Sequence, residues 1–133
     1  MISARGLVLV CLGGALGSGA RYLLSTALPR LTGPSALPWG TLAVNVLGCF
    51  FIELVLQAAQ RAGLSALWVL ALTTGVLGGF TTYSAFNSQL LGLGRGGSPA
   101  AATLYLALTL AGCLLAGLLG TATGQALWAR PAP

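Results

Sequence analysis

The sequence contains no histidine, aspartate or lysine, and Glu53 is its only acidic residue. Acid–base catalysis needs paired titratable side chains, so we expect no enzymatic activity. The glycine clusters lack the lysine of a phosphate-binding loop, which argues against a nucleotide site of that kind. The net charge is +5, but the six arginines are scattered singly along the chain. Because there is no basic cluster, we expect no nucleic acid partner.

Charge of either sign is rare. Only 5% of the 133 residues are charged and 56% are hydrophobic, whereas about a quarter of the residues of soluble domains are charged. No charge lies between Arg61 and Arg95 or between Arg95 and Arg130, and each run exceeds the ~20 residues that span a bilayer. The prolines of Pro29–Pro38 predict a turn-rich loop, and the glycines of Gly92–Pro99 predict a flexible link. The sequence therefore predicts one all-α membrane domain, residues 1–133, with helices at about 3–28, 38–60, 64–91 and 99–127.

The third span carries a signal for a break near its middle, in the segment GVLGGFTTYSAF (Gly75–Phe86). Gly78 and Gly79 weaken the helix and β-branched Thr81 and Thr82 follow, so we expect one half-helix to end near Gly78 and another to start near Thr82. In hydrocarbon such a break must be satisfied by protein, water or an ion. Carbonyls at the first end favour a cation, and N–H groups at the second favour an anion. The GxxxG spacing in this segment is equally typical of helix packing.

Polar side chains of the second span share one face. Thr41, Asn45, Cys49 and Glu53 recur at every fourth position, so this face is not expected to contact lipid. Asn45 lies about 9 Å beyond Trp39 along the helix, inside the hydrocarbon. Its amide either forms an interhelical hydrogen bond or binds a transported species. Glu53 lies deeper still, where a carboxylate must be paired, hydrated or protonated.

Small residues recur at every fourth position on the first and fourth spans. In the first, Gly13 and Gly17 lead to Arg21, which is either an interfacial anchor beside Tyr22 or a buried functional cation. The fourth span has a packing stripe and a polar one. The packing stripe consists of Gly112, Ala116, Gly120 and Gly124, and the polar stripe of Tyr105, Thr109 and Cys113. We expect a neighbouring helix against each packing stripe.

The arginines divide evenly between the two sides of the predicted membrane domain. Arg5, Arg61 and Arg130 lie on one side, and Arg21, Arg30 and Arg95 lie on or toward the other. The positive-inside rule then gives no orientation, so the chain is able to insert both ways and to assemble as an antiparallel pair.

The cysteines fall one per span, at Cys11, Cys49 and Cys113. Their number is odd and their spacing is not that of metal ligands. We expect them to be small packing residues rather than disulfide partners or ligands.

Three segments together resemble the signatures of the bacterial CrcB/Fluc fluoride channels: GGALGSGARY (Gly13–Tyr22), GTLAVNVLGCF (Gly40–Phe50) and GVLGGFTTYSAF (Gly75–Phe86). Their order and spacing agree with that family, and the match covers all four spans. The resemblance implies a dual-topology antiparallel homodimer in the bacterial inner membrane, with two pathways that let fluoride leave the cell passively. It also implies one structural sodium ion at the dimer centre, held by backbone carbonyls at the break.

The resemblance also assigns residues. Gly78 and Thr81 would offer carbonyls to sodium, and Arg21 would sit at the vestibule. The pore residues it implies are Asn45, Tyr83, Phe86, Thr41, Tyr105 and Cys113. The chain departs from the family pattern at Tyr83, Cys113 and Gln89, where phenylalanine, serine and glutamate are usual.

Two other interpretations stay open. A four-span, proton-coupled exporter of small cations, resembling the small multidrug transporters, would use Glu53 as its shared proton and substrate site. Alternatively, the chain is one half of a heterodimer with a related partner of fixed orientation.

Overall fold

A computed structural model describes residues 3–33, 35 and 37–128 of the chain. Four helical segments in this part are long and apolar enough to cross a membrane. The bounds are α1, Ala4–Thr32; α2, Trp39–Ala62; α3, Ala66–Leu70, followed by π-helical turns over Ala71–Leu77; α4, Gly78–Phe80; α5, Tyr83–Arg95; and α6, Pro99–Leu127. The third span is the run from α3 to α5. Arg130, counted above in the charge balance, lies outside the described residues.

The first helix is longer than predicted. Pro29 was expected to open a loop, but α1 continues through it to Thr32. A proline removes the hydrogen bond of its own amide and crowds the carbonyl four residues before it, and here both effects fall in the last turn of the helix. Gly33 then ends the helix, since its amide donates to the Pro29 carbonyl at 3.1 Å and its φ of 77° is in the left-handed region.

The link after the third span is shorter than predicted. The segment Gly92–Pro99 was expected to be flexible, yet α5 remains helical to Arg95. Glycine weakens a helix by about 1 kcal/mol per residue, but near hydrocarbon an unpaired backbone group costs more than that. The helix ends where the Gly96 amide donates to the Gly92 carbonyl at 2.9 Å and Gly97 takes a φ of 79°.

The interruption of the third span lies at Thr81 and Thr82: the first half-helix ends at Phe80, two residues after the predicted Gly78, and the second starts at Tyr83, next to the predicted Thr82. Both threonines have extended backbone, with ψ of 158° and 115°. Gly78 and Gly79 are helical instead, and a Cβ on Gly79 would lie 2.5 Å from the Gly14 carbonyl oxygen. Gly79 therefore serves close packing against α1, and the β-branched threonines carry the change of backbone direction.

Both predicted packing stripes contact a neighbouring helix. A Cβ on Gly17 of α1 would overlap the Val76 carbonyl oxygen of the third span, and one on Gly120 of α6 would overlap the Phe50 carbonyl oxygen of α2. Backbones this close are typical of helix pairs in membranes, where small residues let van der Waals contact replace the hydrophobic effect.

Large apolar side chains mostly face outward. Leu16 of α1, Leu118 of α6 and many other leucines are exposed, while the buried hydrophobic set is small: Val44, Ala71, Leu77, Phe86, Tyr105 and Ala116. Such a distribution suits a chain whose solvent is lipid, because lipid tails accept apolar side chains as readily as a protein core does. The protein is a multi-pass membrane protein.

Candidate functional site

The side chain of Asn45 pairs with the backbone at the interruption of the third span. Its Oδ1 accepts from the Thr82 amide at 2.9 Å, and its Nδ2 donates to the Thr82 carbonyl at 3.1 Å. Asn45 is 9% exposed, so the two hydrogen bonds lie in a water-poor interior where unpaired amides are costly. We call this two-bond contact the Asn45–Thr82 junction. It supplies the interhelical role that the sequence allowed for Asn45.

The junction also explains which carbonyls lose their helical partners. In a continuous helix the Thr82 amide would donate to Gly78, and the Ala85 amide to Thr81. Here Asn45 takes the first amide, and the Thr82 hydroxyl accepts from the second at 3.2 Å, capping α5. Gly78 and Thr81 are thus two of the carbonyls that lose a helical donor at the break, together with Gly79, which accepts from the Ser18 hydroxyl at 3.4 Å, and Phe80. The carbonyls of Gly78 and Thr81 are the two predicted to bind sodium.

One cavity, of about 410 Å³, opens on one side of the junction. We call it the arginine cavity, because Arg21 is the only charged side chain among its described lining residues. It is lined by Ser18, Arg21, Tyr22, Ser25, Pro29, Pro38, Gly40, Thr41, Val44, Thr82, Ala85 and Gln89. A guanidinium beside hydroxyl and amide groups gives this cavity a preference for anions. Arg21 thus lines a cavity and is not solely an anchor in lipid.

Tyr105 does not line the arginine cavity itself but contacts two residues that do, Gln89 and Thr41. Its side chain is fully buried, and its hydroxyl donates to the Gln89 Oε1 at 2.9 Å. The ring of Tyr105 also contacts Phe86, with ring centres 5.2 Å apart.

A second cavity, of about 470 Å³, begins on the other side of the junction. Thr82 lines both cavities. We call the second the groove, and its described lining residues are Asn45, Gly48, Cys49, Ile52, Thr73, Leu77, Gly78, Thr81, Thr82, Tyr83, Phe86, Thr109, Leu110, Cys113 and Leu114. Four of the six predicted pore residues, Asn45, Tyr83, Phe86 and Cys113, meet here, while Thr41 lines the arginine cavity.

The aromatic pair lies at the edge of the groove. Phe86 is 4% exposed and Tyr83 is 78% exposed, and their ring centres are 5.7 Å apart. Rings present a weakly positive edge, so such a pair attracts an anion without holding a full counter-charge.

Thr109 is the residue of the groove that the sequence did not single out. Its hydroxyl is buried and has no hydrogen-bond partner within the described part of the chain. An unpaired buried hydroxyl costs free energy unless a bound species takes it. The sequence placed Thr109 on the polar stripe of the fourth span, but spacing alone did not assign it to the pore.

Glu53 lines neither cavity. It lies at the contact of α2 with α6, where the Thr121 hydroxyl donates to its Oε2 at 3.2 Å. A Cβ on Gly120 would lie 3.2 Å from the Glu53 Cβ, so the side chain is held against the packing stripe of α6. The only acidic residue is therefore set apart from the polar groups that surround the junction.

Comparison of this chain with known proteins shows its family. The sequence model described as CrcB-like protein, Camphor Resistance (CrcB), matches residues 8–121. The chain belongs to this family. A protein called "Fluoride-specific ion channel FluC" from Anaeromyxobacter sp. (strain K) is 50% identical over 116 residues, which are 86% of this chain and 91% of the relative. Proteins of the same name from Chelativorans sp. (strain BNC1) and Rhizobium etli (strain CIAT 652) are 47% and 45% identical, over 86% and 90% of this chain and 91% and 95% of theirs. These names are those of channels, and this CrcB family member is not an enzyme.

The Asn45–Thr82 junction predicts that replacing Asn45 lowers the stability of the protein. Asn45→Ala leaves the Thr82 amide and carbonyl without partners, at a cost of about 1–3 kcal/mol for each buried group. We expect a clearly lower thermal unfolding midpoint in detergent, and an intermediate one for Asn45→Asp, which keeps the acceptor and loses the donor. Asn87→Ala, at an exposed amide of the same span, serves as the control and should resemble the wild type. An Asn45→Ala protein as stable as Asn87→Ala would show that the junction does not hold the third span.

Proposed function

We propose that this CrcB family member is a fluoride channel of the bacterial inner membrane, which lets fluoride leave the cell passively and so lowers its cytoplasmic concentration. The observation that carries the proposal is the series of anion-attracting groups on both sides of the Asn45–Thr82 junction. In addition, the chain is 50% identical over 116 residues to a protein named as a fluoride channel. Arg21 lies at one end of the series and Thr109 lies beyond the junction.

The groups in this series suit a small, strongly hydrated anion. The groove contains hydroxyl and amide donors and aromatic edges, and no charged side chain is among its described lining residues. Weak donors placed one after another replace the water of such an ion stepwise and still release it. A cation within the groove would hold fluoride too tightly, whereas Arg21, in the arginine cavity, raises the local anion concentration.

Asn45 serves the ion as well as the backbone. Its NH₂ group has two hydrogens, and the Thr82 carbonyl takes one of them. The second is available to fluoride in the groove, next to the unpaired Thr109 hydroxyl. The Tyr83 hydroxyl adds a donor that phenylalanine lacks, without blocking the path, since this side chain is largely exposed.

The same proposal includes a homodimer of two antiparallel copies with a structural sodium ion at its centre. The carbonyls of Gly78 and Thr81 have lost their helical donors, so each copy supplies two oxygen ligands and two copies supply four. Four hard neutral oxygens suit a monovalent cation, since calcium and magnesium usually recruit carboxylates or water. The balanced arginines support dual insertion.

The fluoride proposal is tested by efflux from vesicles that contain the purified protein, measured with a fluoride electrode and repeated with chloride as the control. We expect fast efflux of fluoride alone. Thr109→Val keeps the shape and removes one hydrogen bond to the ion, which is worth about 1.5–3 kcal/mol for a charged partner, so efflux should fall about tenfold or more.

Two matched variants complete that test. Thr109→Ser keeps the hydroxyl and should retain efflux. Thr103→Val removes an exposed hydroxyl that bonds only to the Pro99 carbonyl and should behave like the wild type. No fluoride efflux from the wild type would overturn the proposed function, and full efflux from Thr109→Val would remove this hydroxyl from the path.

Glu53 separates the channel from the proton-coupled exporter. Because Glu53 lines neither cavity and accepts from Thr121, Glu53→Gln keeps the acceptor and deletes only the acid. We expect fluoride efflux within about twofold of the wild type from acidic to neutral pH, since Glu53 is set apart from the residues that line both cavities. Loss of fluoride efflux in this variant, together with cation transport against a proton gradient by the wild type, would favour the exporter.

A further inference from the structure

Two of the three cysteines meet across the contact between α2 and α6. Cys49 and Cys113 both line the groove, both are partly exposed, and the thiol of Cys113 interacts with that of Cys49. The helices that carry them are closely packed, since a Cβ on Gly112 would lie 3.0 Å from the Val46 side chain and one on Gly117 would lie 3.9 Å from the Cys49 carbonyl. The sequence assigned these residues to separate spans as packing residues, and their pairing is visible only in the fold.

The surroundings of the two thiols restrict which metal ion they could bind. Within the described residues, no three histidine, cysteine, aspartate or glutamate side chains come together. Zinc normally needs four such ligands in a tetrahedral arrangement. Two thiols alone suit a soft ion that is stable with two sulfur ligands.

The charge of the metal–thiolate complex further restricts which metal ion the two thiols could bind. Metal binding deprotonates cysteine, so two bound thiols bring two negative charges. A monovalent soft ion would leave a net negative charge on the complex, and no cationic side chain among the described lining residues of the groove offsets that charge. A divalent one gives a neutral complex. We propose that Cys49 and Cys113 form a binding site for a thiophilic divalent ion of the mercuric type.

The binding step is an exchange of protons for metal. The mercuric ion forms one bond to each Sγ, the two S–H bonds break, and two protons leave to solvent. No electron is transferred, so no oxidant is needed. The product crosslinks α2 to α6 at the groove through sulfur, metal and sulfur.

The position of the site predicts its effect. Cys49 lies one helical turn from Asn45, and Cys113 lies one turn from Thr109, so a metal ion between the thiols would occupy the groove beside the donors assigned to fluoride. This consequence rests on the proposed function: a bound mercuric ion blocks fluoride efflux. Metal binding itself does not depend on what the protein transports.

Cys11 provides an internal comparison. It is exposed on α1 and lines neither cavity. A single thiol binds mercuric chloride by losing one proton and keeping one chloride on the metal, and added monothiol removes the metal by exchange. The paired site loses two protons, keeps no chloride and resists the monothiol, because a thiolate displaced from the metal stays beside it at high effective concentration and binds again.

The experiment is intact-mass measurement of the purified protein after mercuric chloride and then excess 2-mercaptoethanol. We expect one mercury per chain with two protons lost, in the wild type and in Cys11→Ser, and no retained mercury in Cys49→Ser or Cys113→Ser. The wild-type mass alone decides the ligand number, whether or not the serine variants fold. No retained mercury in the wild type, an adduct that keeps chloride, or equal retention in Cys49→Ser would overturn the site.

Fluoride efflux is then measured on vesicles of the Cys11→Ser protein. We expect mercuric chloride to reduce efflux at least tenfold and a dithiol to restore it. Retained mercury with undiminished efflux would contradict the location of the thiols beside the path. A protein that binds mercury through two thiols but shows no fluoride efflux before treatment would overturn the proposed function and leave the metal site supported.

Discussion

The structure depends on one constraint: a helix interrupted inside the membrane must find partners for the backbone groups that the interruption exposes. Hydrocarbon offers none, and each unpaired group costs several kcal/mol. Asn45 meets the constraint with one side chain, since its amide carries an acceptor for the Thr82 amide and a donor for the Thr82 carbonyl. The Thr82 hydroxyl takes a third group, the Ala85 amide. These three backbone groups at the break therefore need no ligand as a partner.

Because side chains replace the backbone hydrogen-bond partners at the break, polar groups lie in the region where an ion would bind. Diverting the amides of Thr82 and Ala85 leaves the carbonyls of Gly78 and Thr81 without these helical donors, and Asn45 keeps one amide hydrogen that Thr82 does not take. In the proposed channel, the cation site and the anion path both arise from this single interruption of the helix, and no acidic residue is among the described residues that line either cavity. Glu53 is held at a packing contact by Thr121 instead.

Features fixed by composition and spacing could be predicted from the sequence. Charge-free apolar runs predicted the four membrane-spanning helices, and small residues at every fourth position identified the faces of α1 and α6 that pack against a neighbouring helix.

Features that depend on a contact between distant segments could not be predicted from the sequence. The break was placed at Gly78 and Gly79 because glycine weakens a helix, but α1 packs so closely on Gly79 that this glycine is needed within the helix. Likewise, the pairing of Cys49 with Cys113 and the unpaired hydroxyl of Thr109 arise from the register of α2 against α6, which spacing within one span does not reveal.

The central claim is that Asn45 holds the third span open at Thr81 and Thr82, so that carbonyls are exposed to a cation between two antiparallel copies. A high-resolution experimental structure of the membrane-reconstituted protein in sodium fluoride tests this most directly. The account predicts extended backbone at Thr81 and Thr82, both Asn45 hydrogen bonds to Thr82, and a cation held by the Gly78 and Thr81 carbonyls of the two copies. A third span that stays helical through Thr82, with its amide bonded to Gly78, would contradict it.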